Sequence, residues 1–187
     1  MGIFTISGLI WLGIGILLIL WAVITYNNFI RLKTLVDEGW SGIDVQLKRR
    51  YDLIPNLVAV VKQYTIHEKG VLEDVTKMRS ISMGAKNLDE KVAAEQGLTA
   101  ALKTLFAVAE KYPDLKANEN FLSLQSQLAS LETEIQLSRR YYNGASRNYN
   151  ASVLRFPANI VARIFGFIPV VYFEINREER ELPKVKF

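Results

Sequence analysis

The sequence predicts an all-α protein, in which a single N-terminal transmembrane helix continues into an antiparallel four-helix bundle with long helices. Residues 1–30 of the 187-residue chain contain no charged side chain. From there to residue 156 the apolar residues recur at helical spacing, and no alternating, strand-like segment of any length interrupts them. Loop signals separate the helical stretches, and amphipathic helices joined by short turns pack most simply as an antiparallel bundle.

The apolar segment at residues 3–24 predicts the membrane helix. Only Thr5, Ser7 and glycines interrupt it, and about 22 residues at about 1.5 Å each span a hydrocarbon core of about 30 Å. A cleaved signal peptide would have a basic start, a shorter apolar run and a small-residue cleavage site, and the segment shows none of them. We therefore expect residues 1–27 to form a transmembrane anchor.

The charges around the anchor predict its orientation. No basic residue precedes it, whereas five follow within about 25 residues, and such an excess marks the cytoplasmic side. We expect the N-terminus outside and the bulk of the chain in the cytoplasm. Trp21 and Tyr26 would belong to the aromatic belt at the inner interface. The five basic residues are Arg31, Lys33, Lys48, Arg49 and Arg50.

The anchor also carries a candidate self-association face. Gly8, Gly15 and Ala22 recur every seven residues, so they share one side of the helix, where a second transmembrane helix can approach closely. The alternative is that small residues are simply common in membrane helices. We expect Trp40 and Phe167 to make further contacts between copies, so that the protein is a homo-oligomer.

An eleven-residue apolar repeat predicts that the first helix leaves the membrane without a break. Its spacing of 3, 4 and 4 is close to 3.67 residues per turn, which keeps the stripe nearly straight. Pro55 lacks a backbone donor, so we expect a kink or a restart near residues 51–56. The stripe comprises Phe29, Leu32, Val36, Trp40, Ile43, Leu47, Tyr51, Ile54 and Val58.

Three further helical stretches complete the predicted cytoplasmic bundle, residues 28–157. A loop at residues 84–88 offers Asn87 or Asp89 as the N-cap of the third helix, and Pro113 would end that helix. The fourth would begin near Asn118, keep a heptad spacing typical of a coiled coil, and end at Pro157. The three apolar stripes are Val71, Val75, Met78 and Ile81; Leu98, Leu102, Leu105, Ala109 and Tyr112; and Phe121, Leu124, Leu128, Leu131, Ile135, Tyr142, Ala145, Tyr149, Val153 and Phe156.

Residues 158–187 form an apolar segment followed by a charged tail. The apolar part, ANIVARIFGFIPVVYF, contains Arg163 and Pro169 and is too short and too broken to span a bilayer. It would lie either on the bundle or on the membrane. The tail carries charges of both signs and would be solvated or would form a contact strand between subunits.

Composition and motifs argue against catalysis, cofactors and metal sites. The chain has no cysteine, which excludes disulfides, thiolate nucleophiles and cysteine-based metal sites. His67 is the only histidine, and although Glu68 follows it, position 71 is valine, so the zinc-protease spacing fails. No P-loop, GxGxxG, EF-hand or GxSxG motif occurs. We expect no enzyme, and a hydrolase using His67 and Glu68 is the least favoured hypothesis.

A basic helix face is the most informative charged feature. Residues 135–173 contain five arginines and no acidic residue. Arg140, Arg147 and Arg155 share a face that points away from the apolar stripe. Near the membrane, this face and Arg163 would rest on anionic lipid. The alternatives are a solvated face or a subunit contact, and nucleic-acid binding is not expected because no recognition motif accompanies the arginines.

A second charged segment, residues 48–56, has a structural and a functional interpretation. KRRYDLIPN combines three cations, an aromatic residue, an acid and a proline. Ion pairs between Asp44 and Lys48 and between Arg49 and Asp52 would make it a charge-stabilised helix around a kink. The functional alternative is a docking surface for another protein.

Three blocks resemble the LemA family of bacterial membrane proteins. They are DVQLKRRYDLIPNLV at residues 44–58, VKQYTIHEKGVLEDVTKMRS at residues 61–80 and RRYYNGASRNYNASVLRFPANIVARIFGF at residues 139–167. The resemblance covers nearly the whole chain. It implies a short outside N-terminus, one helix in the bacterial inner membrane and a cytoplasmic helical bundle. The family supplies no established enzymatic activity or cofactor to expect here. Its members are variously linked to membrane organisation, and some lie beside genes of membrane proteases.

Two functional hypotheses follow. The first is a membrane-anchored scaffold that binds lipid, self-assembles on the cytoplasmic face and organises or remodels the membrane. The second is an adaptor whose bundle docks another membrane protein, such as a peptidase, through residues 48–56 or the arginine face.

Overall fold

The computed structural model describes residues 2–65 and 67–173, with side chains from Gly8 onward. This part of the chain contains six helices and no strand, which confirms the all-α class. The predicted charged tail lies outside the described residues. The helices are α1 (Gly2–Tyr64), α2 (Lys69–Gly84), α3 (Leu88–Ala109), α4 (Pro113–Lys116), α5 (Glu119–Leu154) and α6 (Ala158–Phe165).

The chain divides into two compact units. The anchor unit comprises Met1–Ser41 and Arg140–Tyr172. Of the described residues, the bundle unit comprises Gly42–Arg139 and Phe173. The two longest helices, α1 and α5, each contribute residues to both units.

Helix α1 is one helix of 63 residues with Pro55 inside it. Of the predicted kink or restart near residues 51–56, the restart is therefore wrong, and a kink stays a prediction. A proline at position 55 leaves the carbonyl of Tyr51, four residues earlier, without its helical donor. The side chain of Arg79 replaces that donor, because its Nε donates to the Tyr51 carbonyl oxygen at 2.7 Å. A hydrogen bond from α2 thus satisfies the group that the proline leaves open, and the helix continues.

The bundle unit is an antiparallel four-helix bundle of α1, α2, α3 and α5. Helices α1 and α3 run in parallel, since Asp44 pairs with Lys91 and, further along both helices, Arg50 pairs with Glu95. The core lies between the helices, where each buried aliphatic side chain contributes about 1.5–3 kcal/mol. The fully buried core residues include Ile43, Leu47, Ile54, Leu57, Val75, Leu98, Leu105, Leu115 and Ile135.

Helix α5 runs antiparallel to α1 in this unit. Arg50 contacts Glu132, and Tyr64, near the end of α1, accepts a hydrogen bond from the Asn118 amide at 2.9 Å, just before the start of α5. The carbonyl oxygen of the same amide caps α5 by accepting from the Phe121 N–H at 3.0 Å. Asn118 therefore both starts the helix and fixes it against α1.

The predicted helix ends are partly corrected. Asn87 caps α3 as expected, its Oδ1 accepting from the Glu90 N–H at 2.8 Å. Helix α3 ends at Ala109, and Pro113 opens the short helix α4 instead of stopping α3. Helix α5 ends at Leu154, before Pro157, and Phe156 is 75% exposed rather than part of the buried stripe. The residue before a proline disfavours the helical backbone, which explains the earlier end.

A buried ionic cluster crosses the bundle core. The Arg50 and Glu95 side chains are 5% and 1% exposed, and Arg50 Nη1 lies 3.2 Å from Glu95 Oε2. Arg50 also donates to Thr99 Oγ1 at 3.0 Å and pairs with Glu132 at 3.3 Å. The Tyr51 hydroxyl donates to the second Glu95 oxygen. Burial raises the pKa of Tyr51, and the bond to the Glu95 carboxylate raises it further.

This cluster corrects the expected charge pattern of residues 48–56. Asp44 pairs with Lys91 rather than with Lys48, and Lys48 pairs with Asp52 at 3.0 Å. Arg50 points into the core, so it is not available for docking at the surface. The segment is stabilised by ion pairs as the structural interpretation expected, although with different partners, and docking by its exposed cations stays a prediction.

In the anchor unit, α1 and α5 approach each other closely at Gly39. A Cβ atom at this position would lie 3.0 Å from Tyr142 Cα and 3.1 Å from Tyr141 Cδ1, so the glycine is what allows the backbones to come together. The Asn28 amide donates to Ser152 Oγ at 3.3 Å further along the pair, which shows that the two helices are antiparallel here as well.

Replacing Glu95 with leucine should lower the free energy of unfolding by about 3–5 kcal/mol, because Arg50 then loses its most buried counter-charge. Chemical unfolding of the full chain in detergent, followed by circular dichroism, measures this change. The exposed Glu134→Gln on α5 serves as the control and should stay within about 0.5 kcal/mol of the parent. The double variant Arg50→Met with Glu95→Leu should regain most of the loss, since it leaves no buried charge unpaired. Equal losses in Glu95→Leu and Glu134→Gln would contradict the role of the cluster.

Two alanine substitutions three residues apart should have opposite effects on stability. At Gly42 a Cβ atom meets nothing within 4 Å, so Gly42→Ala should stabilise α1 by about 1 kcal/mol through helix propensity. Gly39→Ala crowds the Tyr142 backbone, and the resulting overpacking of about 1–3 kcal/mol should lower the melting temperature. Thermal unfolding monitored by circular dichroism compares the two, and a matching increase for both would show that the close approach at Gly39 carries no constraint.

Candidate membrane-contact and assembly surfaces

Within the described residues, α1 is the one helix that is long and apolar enough to cross a membrane. Its most apolar window has a mean hydropathy of 2.4, and none of that window is buried. Large apolar side chains exposed on every side are unfavourable in water and are typical of a lipid-facing helix. The exposed residues are Leu9, Ile10, Trp11, Leu12, Ile14, Ile16, Leu17, Leu18, Ile19, Leu20, Trp21, Val23 and Ile24.

The small-residue face of this helix is open over its first part. A Cβ atom at Gly8 or Gly15 would meet nothing within 4 Å, while Ala22 is half-buried. The described residues of the chain thus leave room for a second helix at Gly8 and Gly15. Self-association through this face stays a prediction.

The other two residues expected to join copies have contacts inside the anchor unit. The Trp40 ring packs edge-on against Tyr142, with 5.7 Å between the ring centroids. The Phe167 ring lies against Tyr26 and Phe29, at centroid distances of 5.4 and 5.1 Å. Both Trp40 and Phe167 are only half-buried, so each keeps an exposed part. A role between copies stays a prediction for both.

An asparagine on α5 fixes the segment that follows α6. The Asn150 side chain donates to the Val170 carbonyl and accepts from the Val170 N–H, both at 2.8 Å, as a neighbouring strand would. The Tyr142 hydroxyl donates to the Val171 carbonyl at 2.8 Å. The sequence offered one signal for this docking, which is an asparagine next to Tyr149 in the buried stripe.

Helix α6 is held beside the end of the apolar part of α1. The Phe165 ring packs against the Tyr26 ring at 4.9 Å between centroids, next to the contact that Phe167 makes with the same ring. Gly166 ends α6 with a φ of +73°, a left-handed conformation that favours glycine. This turn lets the chain leave α6 toward Asn150, so the C-terminal end of the helix is fixed by ring contacts and by the segment that follows it.

The outer side of α6 and its flanks is apolar and uncovered. Ile164 is 71% exposed and Ile168 is 73% exposed, and Ile160 lies one turn before Ile164 on the same side. Val161 and Ala162 face inward and are buried. The exposed apolar side chains of this region are Leu154, Phe156, Ile160, Ile164, Phe165, Ile168 and Val171.

The arginines predicted to face lipid are all exposed. Arg140 and Arg147 lie on α5, Arg155 directly follows the end of α5, and Arg163 lies on α6. The opposite side of α5 is buried, and burial raises the pKa of Tyr149 there. The predicted division of α5 into an apolar and a basic side is therefore present in the fold, while lipid contact by the arginines stays a prediction.

The residues weighed for catalysis, His67 and Glu68, both lie in the described part of the chain. His67 is exposed, and Glu68 accepts a hydrogen bond from the Tyr112 hydroxyl at 3.2 Å. No group of three or more histidine, aspartate or glutamate side chains gathers there as a metal site.

A groove between α1 and α2 in the bundle unit offers a surface that the sequence did not reveal. It has a volume of about 750 Å³. Val58 and Leu72 supply the apolar part of its lining, and three lysines also line it. The remaining lining residues are Lys62, Thr65, Lys69, Glu73, Thr76, Lys77 and Ser80.

The sequence is similar to magnetosome proteins and to a LemA protein at 24–27% identity. Magnetosome protein MamQ 2 of Paramagnetospirillum magneticum is 26% identical, over 80% of this chain and 64% of its own length. Magnetosome protein MamQ of Magnetospirillum gryphiswaldense is 24% identical, over 79% of this chain and 64% of its own length. Protein LemA of Metamycoplasma hominis is 27% identical, over 82% of this chain and 71% of its own length. The chain thus spans somewhat less than two thirds of the length of the MamQ proteins it matches.

None of these names describes a reaction, and together with the apolar helix they indicate a membrane-associated protein. The family comparison agrees with the blocks found in the sequence. Residues 39–187, which are most of the chain, match the LemA family. The match includes the whole described part of the bundle unit. The chain belongs to the LemA family.

Proposed function

We propose that this protein is a non-enzymatic scaffold that assembles with copies of itself on the cytoplasmic face of the bacterial inner membrane and organises or remodels the membrane. The observation that carries the proposal is the open small-residue face of the apolar helix. A glycine in a lipid-exposed helix contributes no side-chain contact of its own, whereas two glycines on one face allow close packing of a partner helix.

The charge distribution supports the proposed orientation. Arg31 and Lys33 follow the apolar segment closely. Basic residues near the end of a membrane helix favour the cytoplasmic side. The bundle unit would then lie in the cytoplasm, where copies can meet in the plane of the membrane.

The relatives support a structural role over a catalytic one. The MamQ proteins are named for the magnetosome, and that name describes a place in the cell rather than a reaction. The absence of a cysteine and the failed zinc-protease spacing at His67 point the same way. The scaffold would act through its surfaces.

The second candidate function is an adaptor that docks another membrane protein, such as a membrane protease. The groove between α1 and α2 favours it, because an apolar floor of Val58 and Leu72 beside lysines suits an amphipathic helix with acidic residues. The arginines of α5 and α6 offer a second docking surface. Of the cations in residues 48–56, Lys48 and Arg49 are exposed and would take part.

The particle mass of the full chain tests the scaffold and the face that builds it. In detergent, corrected light scattering should give a mass of several copies. Gly15→Leu should lower that mass toward one copy, since the leucine side chain holds a neighbouring helix away. Gly13→Leu is the matched control, because position 13 lies about 160° around the helix from Gly15 and also meets nothing within 4 Å. Its mass should not change.

Three results would speak against this function. A single copy in the parent protein would reject the scaffold. An unchanged mass in Gly15→Leu would place assembly elsewhere than on the small-residue face. Cross-linking in membranes that recovers one other membrane protein in equal amount, together with a single-copy mass, would establish the adaptor.

A further inference from the structure

We propose that α6 and its flanks form a second membrane-contacting element, which lies flat in the cytoplasmic interface with its outer apolar side in the phospholipid and its arginines at the phosphate groups. This element, the interfacial foot, comprises residues 154–168. The proposal does not depend on self-assembly, since a single copy carries all the residues involved.

The depth of the foot follows from its ring contacts. Tyr26 lies two residues beyond the end of the apolar segment, which is about 3 Å along the helix axis. The rings of Phe165 and Phe167 both pack against the Tyr26 ring. If the apolar part of α1 spans the hydrocarbon core, the contacts around Tyr26 hold α6 at the boundary between acyl chains and headgroups.

The chemistry of the outer side matches that boundary. Ile160 and Ile164 lie four residues apart in a row on one side of α6, and both are exposed, as is Phe156 just before the helix. A protein surface in water rarely leaves such a row uncovered. Lipid is the expected cover for this apolar side of α6, because α6 lies against α1 just beyond the apolar window of that helix, and the window is exposed on every side.

The charges of the foot select the same occupant. Arg155 and Arg163 are exposed beside the apolar row, and no acidic residue occurs in residues 136–173. Interfacial helices combine an apolar side with basic residues that reach the phosphates. A surface for an apolar patch of another protein does not require this complete lack of acidic groups.

The foot is also held rigidly enough to act as one element. The Asn150 amide forms two hydrogen bonds to the backbone of Val170, and the Gly166 turn connects that segment to α6. Buried Val161 and Ala162 complete the inner side. Immersion in lipid therefore needs no rearrangement of the anchor unit.

Single-cysteine labelling tests the proposal directly, because the chain contains no cysteine of its own. The variants Ile164→Cys and Leu122→Cys in the full chain each receive a nitroxide spin label. Leu122 is the matched control, an exposed leucine on α5 in the bundle unit. Both proteins are reconstituted into vesicles of phosphatidylethanolamine and phosphatidylglycerol at about three to one, a bacterial-like anionic surface. Collision rates with oxygen, which concentrates in lipid, and with a water-soluble nickel complex are then measured.

The label at Ile164 should collide several-fold more with oxygen and several-fold less with the nickel complex than the label at Leu122. Equal access to nickel at both positions would overturn the proposal, because the face would then be in water. Loss of collisions with both reagents at Ile164 would overturn it as well, since a protein surface would cover the face. The variant Ile160→Glu in the Ile164→Cys background provides a second measurement, and it should raise nickel access at Ile164 while the circular dichroism spectrum stays that of the parent.

Discussion

Helix α1 has to satisfy two solvents with one unbroken backbone. In the hydrocarbon core every backbone group needs a partner within the helix, so the helix cannot end before it reaches the interface. Its side chains meet the two environments differently. From Gly8 to Ile24 they are apolar and exposed on all sides, whereas beyond that point a single stripe is buried, as at Phe29, Val36 and Ile43. The eleven-residue repeat keeps this stripe on one side of the helix, so a single helix can be both a membrane span and a bundle member.

The cluster around Arg50 shows what specifies the alignment of the bundle unit. Aliphatic side chains tolerate several alignments of neighbouring helices, because one leucine contact resembles another. A buried guanidinium does not, since its charge requires the Glu95 carboxylate and its second terminal nitrogen donates to Thr99. The cost of burying these charges is large, and their geometry repays it only in one alignment of α1 against α3. The same pattern occurs at Pro55, where Arg79 of α2 supplies the missing donor only if the two helices are in register.

Periodicity was enough to predict most of the helices and core, because burial in a helical protein depends first on the 3.6-residue period. Periodicity was not enough where a polar side chain has its partner far away in the sequence. Arg50 lies three residues after Leu47 and four before Ile54, so the spacing placed it on the buried side, yet its charge suggested the surface. Glu95 gave the same conflict beside Leu98. A single sequence cannot show that two such charges compensate each other, since the pair becomes visible only when α1 and α3 are placed side by side.

The candidate surfaces show the same division. The transmembrane segment, the open glycines and the arginine side of α5 follow from composition and spacing alone. The position of α6 does not, because it depends on the hydrogen bonds of Asn150 and on the ring contacts of Phe165 and Phe167 with Tyr26. Phe156 was expected in the core for its heptad position, but the helix ends before it and the ring is exposed. The proline that follows Phe156 disfavours a helical backbone there, so the heptad spacing does not extend to this residue.

The two proposed surfaces meet on one side of α1. Gly8, Gly15, Ala22 and Phe29 follow each other at seven-residue spacing, so the small-residue face continues directly into the residue on which Phe167 packs. A second helix lying on Gly8 and Gly15 would therefore run down this side until it met the rings around Phe29. Phe167, on the inner side of the interfacial foot, would then lie next to the neighbouring helix as well as beside its own, while the outer side stays in lipid. In such an arrangement, the angle between two anchors would depend on the bulk of the foot, because the small residues allow contact in the bilayer while the aromatic rings hold the helices apart at the interface.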